Sequence, residues 1–225
     1  MNNLIVKSVL GLLFLDLCLA LALFVSAGSL AFWQAWAFLA VWTICVVFIT
    51  DYLFKYDQKL LASRTQAGPT SETQKAQQVI QAFASLFFIG LFIVPGLDFR
   101  FHWSAVPAIL SWVSNGFVVL GFFIVFLTFK ENSYTSAVIE VAKAQKVITT
   151  GPYRLVRHPM YAGAILLLLF APLALGSWVA LPFPLPLILV VAIRSVEEEK
   201  FLRANLAGYA DYCQKVRYRL APTIW

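Results

Sequence analysis

Residues 145–161, QKVITTGPYRLVRHPMY, form a basic, proline-punctuated segment that runs directly into an apolar helix. Pro159 suits the first position of that helix, because its missing N–H costs nothing there and its fixed φ matches the first turn. His158 is then the N-cap. The free N–H groups behind Pro159, with Arg154 and Arg157 nearby, predict a site for a carboxylate or phosphate. Taken singly, the arginines also fit topology markers and His158 a simple cap.

The composition predicts a membrane protein that crosses the bilayer several times. Of the 225 residues, 61% are hydrophobic and 12% are charged, and the mean hydropathy is +0.80. In such proteins a net charge of +6 marks cytoplasmic loops, and the sequence has no nucleic-acid motif. Three cysteines and two histidines lack the spacing of a disulfide framework or a metal site. We therefore expect no metal and no nucleic-acid partner.

Six apolar segments predict an all-α bundle of about six transmembrane helices. The first segment carries Asp16 at its middle and has the length of a span, so we interpret it as a membrane helix rather than a signal peptide. Asp16 is expected either to be protonated or to bond to a neighbouring helix through Ser, Thr or Tyr. The first four segments are residues 4–27, 30–50, 79–97 and 106–129, and the last two form a hairpin, residues 160–175 and 177–193.

The basic residues predict the orientation. With six crossings, every Lys and Arg except Arg100 falls on one side, so both termini are expected in the cytosol. Residues 51–78 and 130–157 are then cytosolic loops, residues 51–61 could lie along the interface, and Asp98 and Arg100 belong to a short outer loop. Three prolines are too close together for a helix interior: Pro182, Pro184 and Pro186. The last regular helix should therefore begin near them and continue into three glutamates, residues 197–199.

A second charged cluster follows the last apolar segment. Arg194 and Glu198 are four residues apart, so they share one face of a helix close to the membrane surface. A solvated helix end is the simpler interpretation, but this acidic cluster stands alone in a basic C-terminal region.

The two clusters together carry a family resemblance. The order G-x-Y-x-x-x-R-H-P-x-Y, an apolar helical pair and then R-x-x-x-E-E resembles the isoprenylcysteine carboxyl methyltransferase family and the related phospholipid N-methyltransferases. The resemblance covers about residues 132–222. It divides the chain into scaffold helices, residues 1–130, which would give the acceptor lateral access from lipid, and a methyltransferase region, residues 131–225.

The resemblance implies S-adenosylmethionine as the cofactor. Glu198 would pair with its ammonium group, and the helix N-terminus after His158 would take its carboxylate. Arg194 would bind the methyl acceptor, with Arg194 and His158 as catalytic residues. The implied cofactor contacts are Glu140, Gln145, Lys146, Val147, Ile148, Tyr153, His158, Pro159, Met160, Tyr161 and Glu198. A tyrosine- and arginine-rich tail could close the site as a lid: Tyr209, Tyr212, Arg217, Tyr218 and Arg219.

The acceptor stays open at this point. An isoprenylcysteine-like carboxylate needs no general base, whereas a phospholipid amine or a small thiol must lose a proton, and His158 is the nearby side chain suited to take it. The alternative is a non-catalytic transporter or lipid-binding protein on the same scaffold. A transport pathway would place charges deep within the spans, but apart from Asp16 the charges cluster at one interface. The sequence thus favours an integral membrane methyltransferase with its active site at the cytoplasmic face.

Overall fold

The computed structural model describes residues 2–65, 75–135 and 145–225, and these residues form helices and turns without any strand. This confirms the all-α prediction. The elements are α1 (Asn2–Ala27), α2 (Trp33–Tyr56), α3 (Gln58–Thr65), α4 (Lys75–Phe101), α5 (Ala108–Glu131), a 3₁₀ turn (Gly151–Arg154), α6 (Pro159–Ala174), α7 (Pro184–Asn205) and α8 (Tyr209–Lys215).

Three of these helices, α1, α2 and α5, are long and apolar enough to cross a membrane, and α6 is a shorter apolar helix. Large apolar side chains on their outer faces are exposed, as expected where lipid replaces water. Asp16 in α1 accepts a hydrogen bond from Thr43 Oγ1 of α2 at 3.0 Å, so the predicted link to a neighbouring helix is confirmed. The chain is an integral membrane protein, while the count of six crossings stays a prediction.

The polar segment after the second span differs from the prediction. Residues 51–56 do not leave the helix to lie along the interface. They continue α2, where Asp51 and Lys55 form an ion pair one turn apart. The break comes at Asp57, whose Oδ1 accepts the Leu60 N–H at 2.9 Å and starts α3.

The predicted outer loop is also shorter than expected, because α4 continues to Phe101 and contains Asp98 and Arg100. Asp98 is only 1% exposed. Its carboxylate accepts the Ser104 N–H at 2.7 Å and the hydroxyl groups of Ser104 and Ser177. These bonds satisfy the carboxylate of Asp98, a residue that the sequence pattern assigned to a loop. They also connect the end of α4 to the turn before α7.

The C-terminal hairpin follows the prediction. α6 ends at Ala174, Gly176 has a positive φ of 77° at the turn, and α7 begins at Pro184. α7 then runs without a break to Asn205, so the start near the prolines and the extension past the glutamates are both confirmed.

The start of α6 is held against α5 by a close helix crossing. A Cβ atom built on Gly163 would lie 2.7 Å from the carbonyl oxygen of Gly121, and one built on Gly121 would lie 2.9 Å from that of Gly163. Such backbone contact requires glycine on both sides. Farther along, the rings of Phe117 and Phe170 stack at 4.2 Å. The first turn of α6 is therefore positioned directly by α5.

Candidate functional site

A cleft opens where the first turn of α6 faces the second half of α7 and α8. Together with the open solvent at its mouth, the space between these elements amounts to about 790 Å³. It is lined by Asn132, Tyr134, Thr135, Gln145, Lys146, Val147, Ile148, Tyr153, Arg157, His158, Pro159, Met160, Tyr161, Glu198, Leu202, Leu206, Tyr209 and Tyr212.

The cleft brings together nearly every residue that the resemblance assigned to the cofactor. Glu140 lies outside the described residues. Arg194 does not line the cleft, but it contacts Tyr161, which does. The sequence reasoning missed several lining residues as cofactor contacts, among them Asn132 and Leu202. Leu202 follows Glu198 by one helical turn, so helical spacing alone could have found it.

His158 and Pro159 occupy the predicted positions at the start of α6, as N-cap and first helical residue. The His158 side chain makes no capping hydrogen bond, however. Its ring stacks on Tyr161 with centroids 5.4 Å apart, and Nε2 lies 3.3 Å from Glu199 Oε1. Because proline has no N–H and the Ala162 N–H bonds to the His158 carbonyl, the first turn offers the N–H groups of Met160 and Tyr161 to a ligand.

The buried carboxylate of Glu199 organises this end of the protein. It is 3% exposed and accepts hydrogen bonds from Arg157 Nε at 2.7 Å and from Arg219 Nε and Nη2 at 3.0 Å. Burial raises the pKa of the Glu199 carboxyl, but hydrogen bonds from His158, Arg219 and Arg157 outweigh burial and hold that pKa well below its usual range. Glu199 is therefore ionised at neutral pH.

This network corrects the predicted role of Arg157. Rather than facing an anionic ligand, Arg157 is buried, and its Nη1 also donates to the carbonyl oxygens of Val216 and Arg217 at 2.8 and 2.7 Å. Glu199 was not among the predicted site residues, although the doubled glutamate of the motif indicated it. No local pattern connects Glu199 with Arg219, because 20 residues separate them.

The C-terminal tail forms a wall of the cleft. The N–H groups of Arg157 and His158 donate to the carbonyls of Tyr218 and Arg219, each at 2.9 Å. The Tyr212 hydroxyl donates to the Tyr153 carbonyl at 2.7 Å. Burial raises the pKa of the hydroxyls of Tyr153, Tyr209 and Tyr212, so these three phenols are neutral at pH 7.

A second polar group joins α6 and α7. The Tyr161 hydroxyl donates to Glu198 Oε2 at 2.7 Å and accepts a hydrogen bond from Arg194 Nε at 3.2 Å. Arg194 and Glu198 thus share a face of α7, as their spacing predicted, and they meet at one hydroxyl. Glu198 and the free N–H groups of α6 give the cleft a negative and a positive side.

The lining suits a zwitterion attached to a flat apolar group. Val147, Ile148 and Leu202 pack against the tyrosine wall and provide apolar surface. One buried polar atom in the cleft, the Tyr209 hydroxyl oxygen, lacks a hydrogen-bond partner within the described part of the chain. Within the same ranges, no group of three His, Cys, Asp or Glu side chains is arranged to hold a metal ion.

Comparison with known proteins relates one part of the chain to a known family. No curated protein matches the chain. Residues 109–207, less than half of the chain, match the family model of the phospholipid methyltransferases. The matched residues include α6 and α7, nearly all of α5, and most of the residues that line the cleft. Over these helices the chain is similar to the phospholipid methyltransferases, and this similarity indicates that it is a membrane methyltransferase.

Proposed function

We propose that the protein transfers a methyl group from S-adenosylmethionine to an amphiphilic acceptor at the cytoplasmic face of the membrane. The observation that carries this proposal is the cleft itself. Glu198 and the start of α6 line the same pocket, which has apolar walls. Both belong to the region that matches a methyltransferase family. When bound, the cofactor would supply a methyl group on a positively charged sulfur.

The residues of the cleft fit such a cofactor. Glu198 would pair with the ammonium group, and the N–H groups of Met160 and Tyr161 would bind the carboxylate. The apolar side chains and the neutral tyrosines would surround the adenosine part. Because methyl transfer is an in-line displacement, the main contributions of the protein are alignment and the exclusion of water.

Two acceptor classes are supported by different observations. The family match favours a phospholipid amine, whereas the sequence motif resembles that of enzymes which methylate an isoprenylcysteine carboxylate. Arg194 lies beside the first turn of α6 and would orient an anionic group in either case. For an amine, His158 would accept the proton, since its side chain lines the cleft at the start of α6.

Titration of the purified protein with S-adenosylmethionine tests the proposal, and the same titration of Glu198→Gln tests the role of Glu198 in binding. We expect wild-type protein to bind the cofactor and Glu198→Gln to bind it about ten- to a hundredfold more weakly, because a charge-assisted hydrogen bond is lost. Glu197→Gln is the matched control: Glu197 is an exposed neighbour paired with Lys200. Absence of binding by the wild-type protein contradicts the proposed function, and equal affinity of all three proteins removes Glu198 from the site.

The proposed topology has six crossings and both termini in the cytosol. It predicts that a cysteine introduced at exposed Trp103, after α4, reacts with a membrane-impermeant thiol reagent in intact cells. A cysteine at exposed Lys59 in α3 should react only after the cells are opened. Unsubstituted protein, which has three cysteines of its own, gives the background. The opposite labelling pattern would reverse the orientation and place the cleft outside.

A further inference from the structure

Arg64 of α3 is a half-buried cation beside the candidate active site, although it lies outside the region that matches the methyltransferase family. Its Nη2 is 3.0 Å from the sulfur of Met160, in the first turn of α6. Its guanidinium carbon lies 4.6 Å from the centre of the Phe129 ring, near the end of α5. An arginine of the scaffold helices thus reaches a residue that lines the cleft.

The surroundings of Arg64 compensate its charge poorly. A thioether is a weak acceptor, and an aromatic face contributes only a modest attraction. No carboxylate of the described residues lies within ion-pair distance of Arg64, whereas Arg157 and Arg219 both pair with Glu199. Burial lowers the pKa of the Arg64 guanidinium, and the nearby positive charge of Arg194 lowers it further. A half-buried cation in this position is stabilised by an anion.

The position of Arg64 indicates which molecule would bring that anion. Met160 separates Arg64 from the cleft, and the next residue, Tyr161, bonds to Arg194. Two guanidinium groups therefore flank the first turn of α6. In the proposed function, the N–H groups of the same turn bind the carboxylate of the cofactor. A second anion beside Arg64 and Arg194 would consequently belong to the acceptor.

We propose that Arg64 binds the anionic group of the methyl acceptor, adjacent to Arg194. In a phospholipid amine this group is the phosphate, and in an isoprenylcysteine it is the carboxylate that receives the methyl group. Both acceptors place an anion next to the reacting atom, so either one satisfies the subsite, whereas an uncharged thiol does not. This inference rests on the proposed function and narrows its substrate class to amphiphiles with an anionic head group.

Binding without turnover tests the subsite. Purified protein in a non-ionic detergent, free of cofactor, is titrated with lysophosphatidylethanolamine and with S-farnesylcysteine, and then with monoacylglycerol and S-farnesylcysteine methyl ester, which lack the phosphate and the carboxylate. We expect Arg64→Gln to weaken binding of one of the two anionic probes tenfold or more. The affinity for its uncharged counterpart should not change, and Arg64→Lys should retain part of the binding. The probe that responds identifies the acceptor class.

Lys59→Gln is the matched control, because Lys59 is an exposed cation on the same helix and its replacement removes the same charge. An equal effect of Lys59→Gln and Arg64→Gln would overturn the subsite, as would wild-type protein that binds neither anionic probe. A loss of S-adenosylmethionine affinity in Arg64→Gln as large as its loss of probe affinity would also overturn the subsite, since Arg64 would then only support Met160. Failure of wild-type protein to bind S-adenosylmethionine contradicts the proposed function instead. Because the probe titrations are made without cofactor, they still test the Arg64 subsite in that case.

Discussion

Replacing Glu199 by glutamine is expected to strongly destabilise the end of the protein that contains the cleft and to remove binding of S-adenosylmethionine. The substitution preserves shape but leaves buried Arg157 without a negative partner. Removing one member of a buried ion pair costs about 3–5 kcal/mol. The loss also releases Arg219, and with it the tail that forms a wall of the cleft. A lower melting temperature in detergent and the absence of cofactor binding by calorimetry would show the effect.

The control for this substitution is Glu197→Gln, which removes an exposed ion pair two residues earlier and should change the melting temperature little. The pKa of Glu199 is depressed in the folded protein, so its stabilising contribution is complete above the unfolded-state pKa of about 4.3. It is lost only as the pH falls toward the lower folded-state value. The difference between wild type and Glu199→Gln should therefore be constant between about pH 6 and pH 8. A wild-type melting temperature in Glu199→Gln would contradict the role of Glu199.

Gly163→Ala is expected to have the second-largest effect. The new methyl group would lie 2.7 Å from the Gly121 carbonyl oxygen and 2.9 Å from a methyl carbon of Val125. A backbone atom cannot move aside as a side chain does, so the two helices must separate. Such overpacking costs about 1–3 kcal/mol. Because Gly163 lies two residues after Tyr161, we expect both the melting temperature and the affinity for S-adenosylmethionine to fall.

Gly116→Ala provides the comparison for Gly163→Ala. Gly116 belongs to α5, the helix that α6 crosses at Gly163, but a Cβ at this position would meet no atom within 4 Å. Alanine is the better helix former by about 1 kcal/mol, so Gly116→Ala should be neutral or stabilising. Equal effects of the two substitutions would show that helix propensity, rather than the close crossing, determines the outcome.

The sequence predicted the parts of this structure that depend on neighbouring residues. The start of α6 followed from Pro159, and the long α7 followed from the proline cluster and the glutamates beyond it. The shared face of Arg194 and Glu198 followed from helical spacing. Each of these features is determined within a few turns of one helix, where the pattern of residue types is sufficient.

The features that sequence reasoning missed depend on contacts between distant segments. Asp98 was assigned to a loop because the apolar run of the third predicted span ends at Leu97, but serines from two other segments bond to it. Arg157 was assigned to an anionic ligand because no nearby residue indicated its partner. That partner, Glu199, lies 42 residues later in the chain. A buried charge can be interpreted only once its partner is known, and hydropathy gives no indication of that partner.

The wall formed by the tail also determines when the site can come into existence. The backbone partners of Arg157 and His158 are Tyr218 and Arg219, and Arg219 completes the bonds to Glu199. A ribosome makes these residues after α1 to α7, so those helices can insert and pack before the cleft has its last side. Formation of the cleft should therefore depend on a late step, the docking of the newly synthesised tail onto an already inserted bundle.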